Sequence, residues 1–450
     1  MENRTREGTL KDLEALRGPG ALPAPAPDDA PPAVATPEAI PVAPVSEAPP
    51  RDPWAALRHR NFRVFYLGQL LSLTGSWMQS TAQGWLVLDL TNSSLLLGIV
   101  TAAGSLPVLL FTLYAGVVAD RMDKRMIILR AQAAATVLAL TLGVLTTTGR
   151  VTYPAILVLV FLLGTANAFE IPTRQSFFVE LVGPRDLPNA IALNSSAFNA
   201  TRIVGPALAG SMIGVLGVAA CFYANAVSYV AVIIGLLMMR LPPFTPPPRT
   251  STWENIREGL AYIRSDRLVR TLVALIAAMS ILAFPFVMLL PVFARDVLRV
   301  GASGLGWMLS AMGVGALAAG IALAAVGGGA RRGRLVIGAA LAFSAALSGF
   351  ALSRSFPLSL VLLALAGFMM ILNNATVNAL IQSQVPDRLR GRVMSVYVFM
   401  FLGMTPLGSL QAGALARAFG APAALVIGTA AFVAVMAAVA WKVPELAKAN

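Results

Sequence analysis

Gly116-Val-Val-Ala-Asp120-Arg121-Met-Asp-Lys124-Arg125 is a short charged island between two long apolar runs, 95–119 and 127–148. Crossing the roughly 30 Å of hydrocarbon in a bilayer takes about 20 apolar residues as a helix, so each flanking run spans a membrane and the island is the turn between them. Working outward, the same alternation of apolar run and short polar break recurs along the chain. Before the island lies 62–88, and after it come 153–172, 190–215 and 219–240. Beyond a longer polar gap follow 268–292, 303–326, 335–353, 357–381, 393–416 and 421–441. The pattern predicts an all-α membrane protein of about twelve transmembrane helices.

Composition agrees. Hydrophobic residues make up 57% of the chain and mean hydropathy is +0.74. Only 12% of residues are charged, against about 25% in soluble domains. Of the 21 acids, nine fall within residues 1–52, so the spans are nearly free of carboxylates. The net charge of +13 does not indicate nucleic acid, because the basic residues alternate by loop. One side receives Arg58, Arg60, Arg63, Arg121, Lys124, Arg125, Arg174, Arg185, Arg249, Arg257, Arg264, Arg267, Arg331, Arg332, Arg334, Arg388, Arg390 and Arg392. The other receives only Arg150, Arg295, Arg299, Arg354 and Arg417. The positive-inside rule then puts both termini in the cytoplasm. A single cysteine, Cys221, and a single histidine, His59, exclude an intramolecular disulfide and a Cys/His metal cluster. No cofactor is expected. No Gly-x-Ser-x-Gly elbow appears in the spans either, which argues against an intramembrane enzyme.

Residues 1–52, rich in Pro and Ala, read as a disordered cytoplasmic tail. Residues 53–240 and 268–450 each hold six spans. Between them, 241–267 opens with LPPFTPPPR and continues into a segment with Trp253, Ile256, Leu260 and Ile263 on one helical face. That segment suits an amphipathic helix at the cytoplasmic interface, or equally a linker helix packed under the bundle. The halves echo one another: Leu57-Arg58 with Ile263-Arg264, Leu97-Gly98 with Leu305-Gly306, and VGPRDL (182–187) with VPDRL (385–389). Two parallel, pseudo-symmetric six-helix halves produce such an echo, and internal repeats mark transporters.

In the opening island, Gly116 allows neighbouring helices to approach closely. Asp120 stands at a helix end, where it can pair with Arg121 or with a helix N-terminus. Making and breaking that cluster would give a two-state gate. GGGARRGR (327–334), the corresponding loop of the second half, keeps the positive charge without the acid. The island matches G-x-x-x-D-R-x-x-[KR]-[KR], the loop motif of the major facilitator superfamily. RHRNFRVFYLGQLLSLTGSWMQ (58–79), WLVLDLTNSSLLLGIV (85–100) and PNAIALNSSAFNATRIVGPALAG (188–210) resemble its bacterial exporter branch, which includes the enterobactin exporter and drug-efflux proteins. The resemblance covers roughly 54–440. It implies the superfamily's fold and proton-driven export. Gly205, Pro206 and Gly210 resemble the core of the antiporter motif, without its upstream glycines, since Ala192 and Thr201 stand there. In the family this region is held to seal the pathway. Proline in the fifth span is expected to kink it.

Three charged residues in or beside spans are candidates for coupling. Arg202 precedes the proline by one turn, and a charge in a span faces a cavity or a partner. Glu170 in the fourth span is its expected partner, from a span adjacent in sequence. Asp89 ends the first span on the outer side. Polar residues within spans are candidates for the substrate path: Gln79 and Gln83, Asn167, Asn194 and Asn199, Asn374 and Asn378. An amide-lined cavity suits a neutral or amphipathic organic molecule rather than an inorganic ion. The expected function is proton-coupled efflux of drugs, secondary metabolites or siderophores, by a monomer in the bacterial inner membrane. Uptake, lipid flipping and a non-transporting sensor or scaffold remain the alternatives.

Overall fold

The computed structural model describes residues 52, 54–240, 252–326 and 332–449. The expected tail, the start of the linker and most of the second-half loop 327–334 lie outside them. Among the described residues every regular element is helical, and ten helices are long and apolar enough to cross a membrane. Two features raise the number of crossings to twelve. The run Tyr153–Leu216 leaves helical geometry at Gly183, where φ is 73° and ψ 170°, a conformation that a side chain would strain. It therefore makes two limbs. Arg60–Thr91, 32 residues long, is the other addition; buried Gln69, Ser72, Gln79 and Thr81 keep it out of the strictly apolar set.

The crossings are α1 (Arg60–Thr91), α2 (Ser94–Arg121), α3 (Lys124–Thr147), α4 and α5 (153–182 and 184–216), and α6 (Val218–Leu237). The second set is α7 (Arg267–Val297), α8 (Gly301–Val326), α9 (Arg332–Leu352), α10 (Phe356–Gln384), α11 (Asp387–Phe419) and α12 (Ala421–Lys442). Capping residues fix several starts: Asp123 accepts from Arg125 N at 2.9 Å and Asp266 from Val269 N at 2.8 Å. Alternation of the spans separates an arginine-poor end, where α1 meets α2 and α7 meets α8, from an arginine-rich end.

Within the first half, α1 packs on α5 and α6, α2 on α4, and α3 on α6. Phe62 and Phe65 meet Phe177 and Phe178 edge to face at the arginine-rich end. In the second half, α8 and α9 pack on α10, and α9 on α12, around Phe286–Phe343 and Phe293–Phe350 ring pairs. The outward faces carry large exposed apolar residues such as Leu67, Val137, Val227, Ile321 and Val361, as lipid contact requires. The linker helix, Thr252–Ser265, rests on the second half. Glu258 pairs with Arg392, and the Tyr262 hydroxyl donates to Gln384 O at 3.2 Å.

Candidate functional site

The halves meet most tightly where glycine faces glycine. A methyl group at Gly210 of α5 would stand 2.7 Å from Ala302 O and 3.2 Å from the Cα of Gly306 in α8. One at Gly413 of α11 would stand 2.9 Å from Ser94 O and 3.2 Å from the Cα of Gly98 in α2. Serine hydroxyls support both crossings, Ser303 donating to Gly210 O at 3.2 Å and Ser94 to Gly413 O at 3.5 Å. Each crossing helix also presses on the first helix of its own half. Gly205 leaves no room beside Thr74 O and Trp77 of α1, and Gly408 none beside Ser280 O and Pro285 of α7. Gly205-Pro-Ala-Leu-Ala-Gly210 and Gly408-Ser-Leu-Gln-Ala-Gly413 are thus one device used twice. Only small residues permit such approach of helix backbones in lipid.

Both crossings lie toward the arginine-poor end. There Arg295, in the π turn Phe293–Val297 that ends α7, donates to Leu88 O at 2.7 Å and so ties α7 to the C-terminus of α1. Toward the other end, a methyl group at Gly116 or Gly391 would meet nothing within 4 Å among the described residues. The close approach expected at Gly116 is therefore absent, because no helix lies against it in this arrangement. Pro206 keeps helical backbone angles, and Gly183 is the only break in the run. Beside the proline, Ser310 of α8 donates to Ile203 O at 2.6 Å.

The charged island staples the first half together. Lys124 pairs with Glu180 at the end of α4 at 2.5 Å, and Arg125 donates to Leu237 O at the end of α6 at 3.2 Å. Arg121 is exposed. The side chain of Asp120 lies outside the described residues.

Glu170 and Arg202 are both buried, but they do not form the expected pair. Glu170 is 3.6 Å from Arg174, one turn along its own helix. The i, i+4 spacing was the signal for this pair, masked because Arg174 also reads as a loop charge. Arg202 has no acidic partner among the described residues. Asp89 is exposed.

The amides divide into two groups. Gln79 is 4% exposed and accepts a 2.7 Å bond from Asn225 of α6. Asn225 in turn accepts from Ser228 at 2.9 Å, and Ser76 meets Tyr229 at 3.3 Å. Gln79 is thus bound within the bundle rather than free for substrate. Asn199 donates to its own helix at Ser195 O, and Asn378 accepts from Gln382. Asn374 keeps a buried Oδ1 without a partner, close to Tyr397, whose hydroxyl reaches Asn374 O at 3.4 Å. Gln83, Asn167 and Asn194 are partly exposed. No group of three or more potential metal ligands exists among the described residues.

Comparison with known proteins follows this geometry. The family described as transmembrane secretion effector matches residues 51–450. The multidrug efflux pump Tap of Mycolicibacterium fortuitum is 29% identical, over 77% of this chain and 87% of its own length. The staphyloferrin A transporter of Staphylococcus aureus is 24% identical, over 80% and 90%. The enterobactin exporter EntS of Shigella boydii is 23% identical, over 79% and 85%. Among solved structures, a bacterial homologue of the lysosomal transporter Spinster superposes with a TM-score of 0.69 at 14% identity, over 88% of this chain and 98% of that one. The nucleoside transporter NupG gives 0.64 at 14% identity, over 84% and 98%. These two share the fold.

Proposed function

Because the chain belongs to the transmembrane secretion effector family of major facilitator transporters, we propose that it exports small organic molecules by proton-driven alternating access. The observation that carries this reading is one-sided closure. Paired glycine crossings hold the arginine-poor end shut, while Gly116 and Gly391 face open space toward the other. The excess of Lys and Arg assigns the open end to the cytoplasm, in a monomer of the bacterial inner membrane with both termini inside. The six-span halves 53–240 and 268–450 are the rocking bodies. Cargo then enters from the cytoplasm, and a second arrangement closes the island around Gly116 and Asp120 while parting the crossings. Glu170 is the buried carboxylate best placed to carry the proton, 3.6 Å from Arg174.

Efflux is favoured over uptake by the multidrug and siderophore relatives named above. The test is transport in proteoliposomes. An inward-acid gradient should drive accumulation of a fluorescent substrate, a protonophore should abolish it, and Asp120→Asn should reduce it. Accumulation indifferent to the gradient removes proton antiport. No transport across a broad compound panel removes the exporter and favours a sensor.

A further inference from the structure

Among the described residues, Arg202 is the buried charged group of the junction that has no ion pair. It lies near the middle of α5, 8% exposed, on the face that carries Gly205 and Pro206 toward α1 and α8. Its Nε and Nη2 are enclosed with no hydrogen-bond partner among the described residues. Three hydroxyls of the junction bond to backbone carbonyls. Thr201 donates to Phe198 O at 3.1 Å, Ser310 to Ile203 O and Ser303 to Gly210 O. Glu170, the buried carboxylate of the spans among the described residues, has Arg174 as its ion-pair partner at 3.6 Å, and no ion pair joins it to Arg202. A cation left unpaired in the hydrocarbon depth is strongly unfavourable, and such residues face a cavity or await a partner.

The internal repeat separates architecture from function. In the second junction, Gly408 and Gly413 reproduce the crossings of Gly205 and Gly210, but the position matching Arg202 is Thr405. The junction therefore closes without a guanidinium, and the charge at Arg202 serves something else. Beside it stand Trp77, which packs on Gly205, and Phe198, one turn earlier on α5. Their rings meet edge to face at 5.7 Å.

We propose that Arg202 is the anion-binding residue of the transport path, and that the cargo is an organic acid with an aryl or other apolar body. This rests on the transporter reading above and narrows its substrate class. A guanidinium fork matches the geometry of a carboxylate and pairs with it through two parallel bonds. The ring pair offers apolar surface beside it.

The test uses two xanthene dyes that share a skeleton and differ in charge, anionic fluorescein and cationic pyronin Y. Binding is read by fluorescence polarisation in lipid nanodiscs, and transport in proteoliposomes. Wild type should bind and move fluorescein in preference to pyronin Y. Arg202→Gln should weaken fluorescein binding by about tenfold or more while changing pyronin Y less than about twofold, and Arg202→Lys should recover part of the loss. Should the glutamine variant fail to fold, the lysine variant carries the comparison, since it keeps the charge but loses the fork. It should then weaken fluorescein several-fold and leave pyronin Y unchanged. Pyronin Y transported in preference to fluorescein, or both weakened alike by Arg202→Gln, overturns the anion assignment and leaves the exporter reading standing. Neither dye bound nor transported overturns the anion assignment, and the exporter reading is then decided by the broad compound panel.

Discussion

Gly210→Ala isolates the free energy of the sealed end. The added methyl would lie 2.7 Å from Ala302 O, 3.0 Å from the Cα of Ser303 and 3.2 Å from the Cα of Gly306. All three are backbone atoms, so no side chain can rotate away and α5 must withdraw from α8. Overpacking of this kind costs about 1–3 kcal/mol. Alanine also raises helix propensity by up to about 1 kcal/mol, but that gain applies to both conformations and cancels in their ratio. The clash exists only when the crossing is closed. The equilibrium should therefore shift toward the outward-open form by about 5- to 150-fold. Ser409→Cys reports it. Ser409 is 1% exposed in the other crossing, and the native thiol, Cys221, is fully buried and silent. In right-side-out vesicles, an impermeant maleimide should label the Ser409→Cys protein faster by that factor when Gly210→Ala is added. An unchanged rate in a protein that melts no lower than its parent would refute the assignment of the gate to this crossing.

Three further outcomes follow from the same geometry. Gly116→Leu meets open space here, so it should leave thermal stability within about 0.5 kcal/mol yet slow labelling of Ser409→Cys, since its bulk obstructs only the opposite closure; faster labelling would contradict the gate. Gln79→Leu strips Asn225 of its 2.7 Å partner and should cost about 1–3 kcal/mol, read as a lower melting temperature, with a smaller loss in the Gln79→Leu, Asn225→Leu double variant; an additive loss would show that the bond is not what matters. Glu170→Gln should abolish gradient-driven accumulation but spare downhill exchange of substrate, and gradient-driven transport that persists in it would move the proton site elsewhere.

Hydropathy made the spans legible because lipid leaves a helix no alternative way to satisfy its backbone. It served even for α1, whose buried glutamines and serines dilute its apolar character, and for α4 and α5, which the VGPRDL turn at Gly183 divides within one helical run. Partnerships were harder to read. Glu170 was matched with Arg202 because their spans follow one another in sequence, yet a single helical turn brings Arg174 closer. Gln79 was read as lining a path, since Asn225 lies 146 residues away and only the packing of α1 on α6 joins them. Side-chain pairing across spans depends on helix rotation, and hydropathy carries no information about it.

The glycine crossings show what a repeat can and cannot reveal. Leu97-Gly98 and Leu305-Gly306 were recognisable as counterparts, and both glycines occupy the crossings. Their partners, Gly205 with Gly210 and Gly408 with Gly413, share the same internal spacing. The first pair is marked by Pro206 in the sequence, whereas the second has Ser409 in its place and carries no such mark. Proline is therefore not what closes the junction: α11 makes the same approach with Ser409. What the two sites have in common is the absence of a side chain at four places where backbones touch. At the crossings closure depends on van der Waals fit and a few serine hydroxyls, with Arg295 on Leu88 O as a charged tie beside them. Contacts of that kind can be parted and remade without breaking an ion pair. Symmetry at the crossings, and its breaking at Arg202, divides the labour between a seal built twice and a recognition group built once.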